Sequence, residues 1–163
     1  MAKEQAFEVV ATNRKAGRDY ELLDRYEAGV ALTGTEIKSV RQHKVTLNDS
    51  FARLHAGEGW LYNCHISPYE AGNRFNVEPT RTRKVLLHRR EIERLIGLTS
   101  RKGMLLIPTR MYLKHGLAKV EIALAKSKRQ YEKRDTIRQR DTQRELDRAR
   151  RTTQHARRKQ GGD

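Results

Sequence analysis

The strongest constraint on the fold lies near the C-terminus, where Gly116 is followed by no glycine or proline until Gly161. The residue types beyond position 125 are mostly good helix formers, so this part of the chain is predicted to be helical. A helix that packs on a protein core has an apolar residue at every third or fourth position. Between positions 131 and 159 the only sizeable hydrophobic residues are Tyr131, Ile137 and Leu146. The predicted helix therefore has almost no apolar face with which to join a core.

The same segment is strongly basic. From Lys126 to Asp163 there are 14 Lys or Arg against 6 Asp or Glu, which supplies +8 of the chain's formal +15. Arginines recur at helical spacing, and like charges at this spacing destabilise an isolated helix by about 0.2–0.5 kcal/mol per pair. We therefore predict a tail that is disordered alone and helical when a bound polyanion neutralises it. The alternative is a charged tail that is merely solvated.

Residues 1–125 are predicted to form one domain, and residues 126–163 the basic C-terminal tail. A segment of this length can bury enough apolar surface to fold alone. It carries 21 basic and 14 acidic side chains, so it is basic even without the tail. A pI near 10.4 is typical of a protein that displaces counterions from phosphates, whereas binding to an anionic membrane surface would need an amphipathic apolar face. Nucleic acid is the predicted partner.

Several other classes of function have no support in the sequence. No apolar run approaches the roughly 20 residues of a membrane span, and the first residues lack the apolar stretch of a signal peptide, so a cytoplasmic protein is expected. The one cysteine, Cys64, cannot form an internal disulfide, and the histidines occur singly without metal-ligand spacing. Phosphate-binding and nucleophile motifs are also missing. We predict no enzyme activity, no cofactor and no metal site.

The order of segments predicts a mainly β fold. Segments that are rich in β-branched and aromatic residues, or that alternate apolar with polar residues, are typical of strands. They lie at Phe7–Ala11, Tyr20–Thr33, Phe51–His55, Trp60–Ile66, Lys84–His88, Met104–Leu113 and Leu117–Ala125. Helices are predicted at Gly34–Arg41 and Arg89–Gly97. This pattern predicts a small closed barrel of the OB type with two or three short helices, an architecture that leaves one face free for nucleic acid.

Three local features refine this prediction. Gly29 lies in the middle of a long strand and predicts a bulge or a sharp bend there. Ala56–Gly59 separates two strand-type runs and predicts a hairpin. Thr33 or Thr35 is a suitable N-cap for the first helix.

Two basic clusters lie at the edges of predicted elements and indicate a surface that follows a phosphate backbone. One contains Asn13, Arg14, Lys15 and Arg18, and the other contains Arg81, Arg83, Lys84, Arg89 and Arg90. We predict RNA contacts by Arg83 and Lys84 in the second cluster. Ordinary solvated loop charge is the alternative for either cluster.

Other residues allow two interpretations each. Four aromatic side chains could stack on unpaired bases or could fill the core: Tyr62, Tyr69, Phe75 and Tyr112. Glu36, an acidic residue in a basic protein, could accept a hydrogen bond from a base amino group. It could instead pair with Lys38, Arg41 or Lys119.

Seven short motifs, in order along the chain, resemble those of the SsrA-binding protein family, also called small protein B. They are Asn13–Ala16, Tyr26–Gly29, Gly34–Arg41, Glu58–Asn63, Arg83–His88, Leu106–Pro108 and Lys126–Arg134. The resemblance covers roughly residues 7 to 150. It implies an OB-type barrel with a basic tail, in a bacterial protein that binds the tRNA-like domain of transfer-messenger RNA. This adaptor of trans-translation would bring that RNA to ribosomes stalled on messages without a usable stop codon.

The resemblance also implies roles for individual residues. Glu36 and Lys119 match RNA-contacting positions of the family, and Asn13 and Lys15 match its basic loop near the RNA. The start of the tail matches the part that reaches the ribosomal decoding centre, here Lys128, Arg129, Tyr131, Glu132, Lys133 and Arg134. The rest of the tail would lie in the empty mRNA channel, and elongation factor Tu would be a partner through the RNA. Ser127 departs from the family, which usually has glycine there.

Composition alone leaves a second function open, that of a general RNA-binding or ribosome-assembly protein with a basic tail. An RNA-modifying enzyme is a third possibility, although no catalytic set supports it. The family motifs favour the adaptor of ribosome rescue.

Overall fold

The computed structural model describes residues 7–160, except for the side chains of Gln130, Tyr131 and residues 153–160. The chain divides into two compact units, the first ending at Ser127 and the second beginning at Lys128. The first unit is mainly β with several helices, and the described part of the second is a single helix.

The first unit contains nine strands, three α-helices and one 3-10 segment within residues 7–127. The strands are β1 (Phe7–Thr12), β2 (Tyr20–Val30), β3 (Val45–Thr46), β4 (Phe51–His55), β5 (Glu58–Tyr62), β6 (His65–Ile66), β7 (Arg83–Leu86), β8 (Met104–Lys114) and β9 (Leu117–Ser127). The helices are α1 (Ala16–Asp19), α2 (Gly34–Arg41) and α3 (Arg89–Thr99), and the 3-10 segment is Glu70–Phe75. Six of the seven strands predicted from the sequence are present with ends shifted by a few residues at most, but the predicted strand Trp60–Ile66 is interrupted. Its first part belongs to β5, and its last two residues form β6, which pairs with β3 in a separate sheet. The short elements α1, β3 and Glu70–Phe75 were not predicted.

Seven strands form one antiparallel sheet in the order β1-β8-β4-β5-β7-β2-β9. In addition, β9 pairs with β8 along most of its length, from Leu117 opposite Lys114 to Lys126 opposite Met104. Each of the six strands β8, β4, β5, β7, β2 and β9 therefore has a hydrogen-bonded neighbour on both sides. The short strands β3 and β6 form a separate pair.

The alternating pattern of β9 explains its place in the core. Its even-numbered residues Ala118, Val120, Ile122 and Leu124 are buried in one hydrophobic cluster with residues of β2, β5, β7 and β8. Period-two alternation places these side chains on one face of the strand and Lys119 and Glu121 on the other. The charged side chains of Lys119 and Glu121 thus lie on the face of β9 opposite the core.

Two-residue turns join β4 to β5 and β8 to β9. Ala56 and Gly57 have φ values of 50° and 74°, and His115 and Gly116 have φ values of 52° and 74°. Positive φ at both central positions is typical of the type I′ turn, whose twist matches that of the flanking strands. The hairpin predicted around Ala56–Gly59 is present, with β5 starting at Glu58.

The predicted bend at Gly29 is wrong. Gly29 pairs in register with Leu86 of β7 and Lys119 of β9, and the register shift of β2 lies between Leu22 and Arg25 instead. A Cβ atom at Gly29 would lie 3.4 Å from the Cβ atom of Leu86. This distance is ordinary van der Waals contact, so the Leu86 side chain packs beside Gly29 without a local bend of β2.

The second unit is described as helix α4, Gln130–Gln160. From Glu132 to Thr152 no described side chain is buried, and all are exposed except those of Lys133 and Thr136. Asp141 pairs with Arg144 at 3.8 Å, which partly offsets the repulsion between arginines. Within residues 7–160, no helix is both long and apolar enough to span a membrane.

Candidate nucleic-acid interface

Glu36 lies at the centre of a buried ion cluster. Its Oε1 atom is 2.8 Å from Nε of Arg83 and its Oε2 atom is 2.6 Å from Nη2 of Arg81. Glu36 is 4% exposed and Arg83 is 0% exposed. The remaining N–H groups of Arg83 donate to the backbone carbonyls of Cys64 at 2.6 Å and Pro79 at 2.9 Å. The cluster thus joins α2 to β7 and the loops before it.

Burial raises the pKa of the Glu36 carboxyl, but hydrogen bonds from Arg81, the Thr33 backbone and Arg83 outweigh it and lower the pKa. The carboxylate is therefore charged at neutral pH and neutralises the buried guanidinium of Arg83. A buried charge needs such a partner.

This arrangement corrects the prediction for two site residues. Arg83 is fully buried and its donors are used, so it cannot reach an RNA phosphate. Glu36 pairs with Arg81 and Arg83 and not with Lys38, Arg41 or Lys119, the partners considered from the sequence. It is also too buried to meet a base edge directly.

One contact of this cluster, between Thr33 and Glu36, follows from a local sequence motif. Thr33 and Glu36 form a capping box, in which the Thr33 hydroxyl accepts from the Glu36 N–H at 3.4 Å and the Glu36 carboxylate accepts from the Thr33 N–H at 2.9 Å. Threonine followed three residues later by glutamate is the signature of this motif. The arginine partners lie 45 and 47 residues away, so no local pattern indicates them.

Asn13 organises the turn that carries Lys15. The Asn13 side chain donates to the Pro108 carbonyl at 3.0 Å and accepts from the Ala16 N–H at 3.2 Å. Because Asn13 is 7% exposed, it holds the turn against β8 and offers little surface to a ligand. Lys15 is partly exposed and pairs with Asp49 at 3.3 Å.

Lys84 lies on β7 and pairs with Glu58 of β5 at 2.5 Å. Its side chain is 40% exposed, and that of Glu58 is 44% exposed. The lysine is therefore accessible, but any phosphate must compete with the carboxylate for it. Its neighbour Arg83 points to the opposite side of the strand, as the alternation of a β-strand requires.

Lys119 lies on an outward surface formed by β2, β8 and β9, which we call the β2–β8–β9 face. The face consists of Arg25, Glu27, Arg110, Tyr112, Lys114, Lys119 and Glu121, with Phe7 of β1 at its edge. A groove of about 350 Å³ runs over most of these residues. Among the described residues, no carboxylate forms an ion pair with Lys119, although Glu27 is close enough to feel its charge.

The two carboxylates of this face are held by specific partners. Glu121 pairs with Arg25 at 3.0 Å and with Arg110 at 2.9 Å, and it accepts a hydrogen bond from Thr109. Glu27 accepts from the Tyr112 hydroxyl and pairs with Lys114 at 3.4 Å.

These partners set the protonation of the face. The hydrogen bond from Tyr112 lowers the pKa of Glu27, with help from Lys114 and Lys119. Burial raises the pKa of Glu121, but the hydrogen bonds from Thr109 and Arg110 outweigh it and lower the pKa. Burial and the bond to Glu27 raise the pKa of Tyr112. At neutral pH both carboxylates are charged and the phenol is neutral.

The charge of the β2–β8–β9 face suits a polyanion with exposed base edges. Four cations, Arg25, Arg110, Lys114 and Lys119, face two carboxylates, which leaves a net +2. Lysine and arginine contact phosphate oxygens, while a partly exposed carboxylate such as Glu27 can accept from a base amino group. Glu27 was not predicted as a site residue, although the β2 alternation placed it outward.

The four aromatic residues considered for base stacking differ in how much of each side chain is free. Tyr62 stacks on Phe51 with ring centroids 5.1 Å apart, Tyr112 is 6% exposed, and Tyr69 lies beneath the ammonium group of Lys38. Phe75 is 67% exposed. Only Phe75, of these four, has most of its surface free for stacking.

The start of the tail is described as a capped helix. The Glu132 carboxylate accepts from the Arg129 N–H at 2.8 Å, and Lys128 donates to the Thr136 hydroxyl at 3.1 Å. Lys133 and Arg134 follow in the first turns. The Tyr131 side chain lies outside the described part of the structure.

Within residues 7–160, no group of three or more His, Cys, Asp or Glu side chains is arranged to hold a metal ion. Burial raises the pKa of the Cys64 thiol to about 11. A thiol with this pKa is protonated at neutral pH and is a poor nucleophile.

Comparison with known proteins connects this geometry to a family. Residues 10–152 match the family described as SmpB protein. The chain is 58% identical over 141 residues to the SsrA-binding protein of Lacticaseibacillus casei (strain BL23), covering 86% of this chain and 90% of that protein. It is 56% identical over 141 residues to the SsrA-binding protein of Carboxydothermus hydrogenoformans, covering 86% and 95%.

A solved structure is also similar. It is described as "tmRNA-SmpB: a journey to the center of the bacterial ribosome". The matched chain is 47% identical, with a TM-score of 0.64, and the match covers 78% of this chain and 93% of that one.

Proposed function

The chain belongs to the SmpB protein family, and on that premise we propose that it is an RNA-binding adaptor of trans-translation. It binds the tRNA-like domain of transfer-messenger RNA and delivers this RNA to stalled ribosomes. The observation that carries the proposal is the 58% identity to an SsrA-binding protein over 86% of the chain. The adaptor works by binding and not by catalysis.

The β2–β8–β9 face is the proposed RNA surface. Its net positive charge, its groove and the partly exposed Lys119 support this assignment. Lys15 extends the surface, because the Asn13 turn is anchored on Pro108 and Thr109, directly before Arg110 on β8. Lys84 is a second accessible lysine on a neighbouring strand.

Glu36, Arg83 and Asn13 act indirectly in this proposal. Glu36 and Arg83 fix α2 and β7 against each other, and Asn13 fixes the turn that carries Lys15. These three residues affect RNA binding by holding the RNA-contacting residues in position. A substitution at any of them should change the shape of the surface and should not remove a direct contact with RNA.

We propose that the body is a closed barrel of the OB type. The support is the pairing of β9 with both β2 and β8, so that each of the six strands β8, β4, β5, β7, β2 and β9 has a hydrogen-bonded neighbour on both sides. Such barrels present one face and its loops to single-stranded or structured nucleic acid.

We propose that the tail enters the ribosome. The start of the tail would lie in the decoding centre and the rest in the empty mRNA channel. The residues in the decoding centre would be Lys128, Arg129, Tyr131, Glu132, Lys133 and Arg134. A helix of 31 residues spans roughly 46 Å. Between residues 132 and 152 α4 buries none of its described side chains, which supports a tail whose order depends on a bound polyanion. The free tail is therefore disordered, and the bound tail is helical.

This function assigns the chain to the cytoplasm, where it meets ribosomes. Elongation factor Tu is then a partner through the shared RNA. No cofactor or metal enters the mechanism.

Recovery of RNA from a cell extract tests the proposal. We expect the full-length chain to retain one abundant structured RNA, transfer-messenger RNA, whereas a general RNA-binding protein would retain a broad population. The affinity for the tRNA-like domain should fall with salt, with a slope of about −0.7 to −0.9 per neutralised phosphate on logarithmic axes. Recovery of mixed RNA, or a slope near zero, would contradict the proposal.

A further inference from the structure

A second surface lies on the body, apart from the β2–β8–β9 face. It is built from the segment Tyr69–Asn76, here called the 69–76 loop, and the first turn of α2. A groove of about 420 Å³ separates them. Its lining consists of Thr33, Gly34, Thr35, Lys38, Tyr69, Ala71, Gly72 and Phe75, and it shares no residue with the β2–β8–β9 face.

The 69–76 loop is locked by its own side chains. The Asn76 amide closes the loop, since Oδ1 accepts from the Tyr69 N–H at 2.9 Å and Nδ2 donates to the Tyr69 carbonyl at 2.8 Å. Gly72 is closely packed, because a Cβ atom there would lie 2.7 Å from Oδ1 of Asn76 and 2.9 Å from Cγ2 of Thr35. A loop closed in this way holds a side chain in a defined position.

The residue held is Phe75. The Thr35 hydroxyl donates to the Phe75 carbonyl at 3.2 Å, which ties the loop to α2. The Phe75 ring nevertheless remains 67% exposed, more than any other large hydrophobic side chain described. Holding the backbone of Phe75 in place while most of its side chain stays in solvent gains little burial, so stability does not explain the arrangement.

The surroundings of the ring are cationic. The Arg74 guanidinium lies 5.1 Å from the Phe75 ring centroid, and the Lys38 ammonium lies 5.3 Å from that of Tyr69. Lys44 pairs with Glu70 at 3.5 Å, so the three cations of this surface outnumber its one exposed carboxylate. The N-terminus of α2 adds no free anion site, because the Glu36 carboxylate already occupies it.

We propose that the 69–76 loop is a second RNA contact, in which an unpaired base stacks on Phe75 while Arg74 and Lys38 hold the adjoining phosphates. An exposed aromatic ring beside cations is the arrangement that proteins use for unpaired nucleotides. The inference rests on the proposed RNA-binding function and adds a site that reads unpaired bases. Paired RNA cannot use it, because its bases are already stacked.

Tryptophan fluorescence tests the site in the full-length chain. The F75W variant places an indole at the proposed contact, and I96W places one at an exposed position of α3 that lies outside the 69–76 loop and its groove. We expect a short unstructured RNA oligonucleotide to quench the added fluorescence of F75W, and a blunt RNA duplex to leave it unchanged. I96W should respond to neither. Equal quenching of both variants, or none in F75W, would overturn the proposal.

Affinity measurements separate this inference from the proposed function. F75A should weaken binding of the unstructured oligonucleotide about tenfold, since stacking on an aromatic ring is lost. Binding of the duplex should be unchanged, and I96A is the matched control. If K119A weakens binding of the tRNA-like domain while F75A equals I96A on the oligonucleotide, only the second site is wrong. Failure of the unaltered chain to bind any of these RNAs would overturn both.

Discussion

The two units of the chain carry similar excesses of positive charge but obtain their order in different ways. Residues 1–127 hold 22 basic and 14 acidic side chains, and residues 128–163 hold 13 and 6. In the first unit the cations stand on strands whose opposite faces fill a hydrophobic core. In the second, no described side chain from 132 to 152 is buried. The two units therefore do not differ in net charge. They differ in whether a hydrophobic core holds the charged side chains in position.

The largest expected effect comes from removing the second unit. A chain that ends at Ser127 keeps all of β9 and its pairing with β2 and β8. It should fold and should bind the tRNA-like domain with nearly unchanged affinity, yet it should lose ribosome rescue. The measurement is peptide transfer to charged transfer-messenger RNA, in reconstituted translation stalled on a message without a stop codon.

The matched control for this truncation is the full-length chain with K102A, which removes one exposed charge from the body and keeps the tail. That variant should rescue normally. If the truncated chain supports peptide transfer as well as the control does, the tail is not the part that acts in the decoding centre. The two units would then differ in how they are folded, but the second unit would have no separate role in ribosome rescue.

The next largest effect is on stability. Within the first unit, we compare the loss of a buried ion pair with the loss of an exposed one. Glu36→Ala leaves Arg83 buried without a carboxylate and should lower the free energy of unfolding by about 3–5 kcal/mol. Glu58→Ala removes an equally close partner from the exposed Lys84 and should cost about 1 kcal/mol or less. Urea unfolding of both variants measures the difference. Similar losses would show that burial of the Glu36 cluster contributes little.

Acid should weaken the same cluster. Because the folded-state pKa of Glu36 is lowered, its contribution is fully present above its ordinary pKa of 4.5 and is lost as pH falls through the lower folded-state value. The unfolding free energy of the unaltered chain should therefore fall more steeply below pH 4.5 than that of Glu36→Gln. Parallel pH curves for the two chains would contradict this assignment.

The sequence predicted best what depends on local pattern. Alternation in Leu117–Ala125 indicated both β9 and its buried face, because period two alone determines which side chains point inward. The bend predicted at Gly29 was wrong because Gly29 pairs in register with Leu86 of β7, a residue 57 positions later, and with Lys119 of β9. The burial of Arg83 was missed for the same reason, since its partner Glu36 is 47 residues away.

A moderate effect is expected on RNA affinity. Lys119→Ala removes a partly exposed cation from the β2–β8–β9 face and should weaken binding of the tRNA-like domain by about 5- to 30-fold, equivalent to roughly 1–2 kcal/mol. Lys102→Ala, an exposed lysine in the turn before β8, should change it little. Filter binding at fixed salt measures both. Equal losses would mean that net charge, and not the position given by the scaffold, determines binding.

The smallest effect concerns how the second unit begins to fold. The Glu132 carboxylate accepts from the Arg129 N–H, so it caps the first turn of α4 and places a negative charge at the positive end of the helix dipole. In a peptide of residues 128–163, Glu132→Ala should remove both contributions and destabilise the helix by about 0.5–1 kcal/mol. Glu132→Gln should keep the hydrogen bond and lose less. Circular dichroism during titration with trifluoroethanol measures the helix content of each peptide. If the three peptides become helical at the same cosolvent concentration, the cap does not nucleate α4, and order in the second unit depends on the polyanion alone.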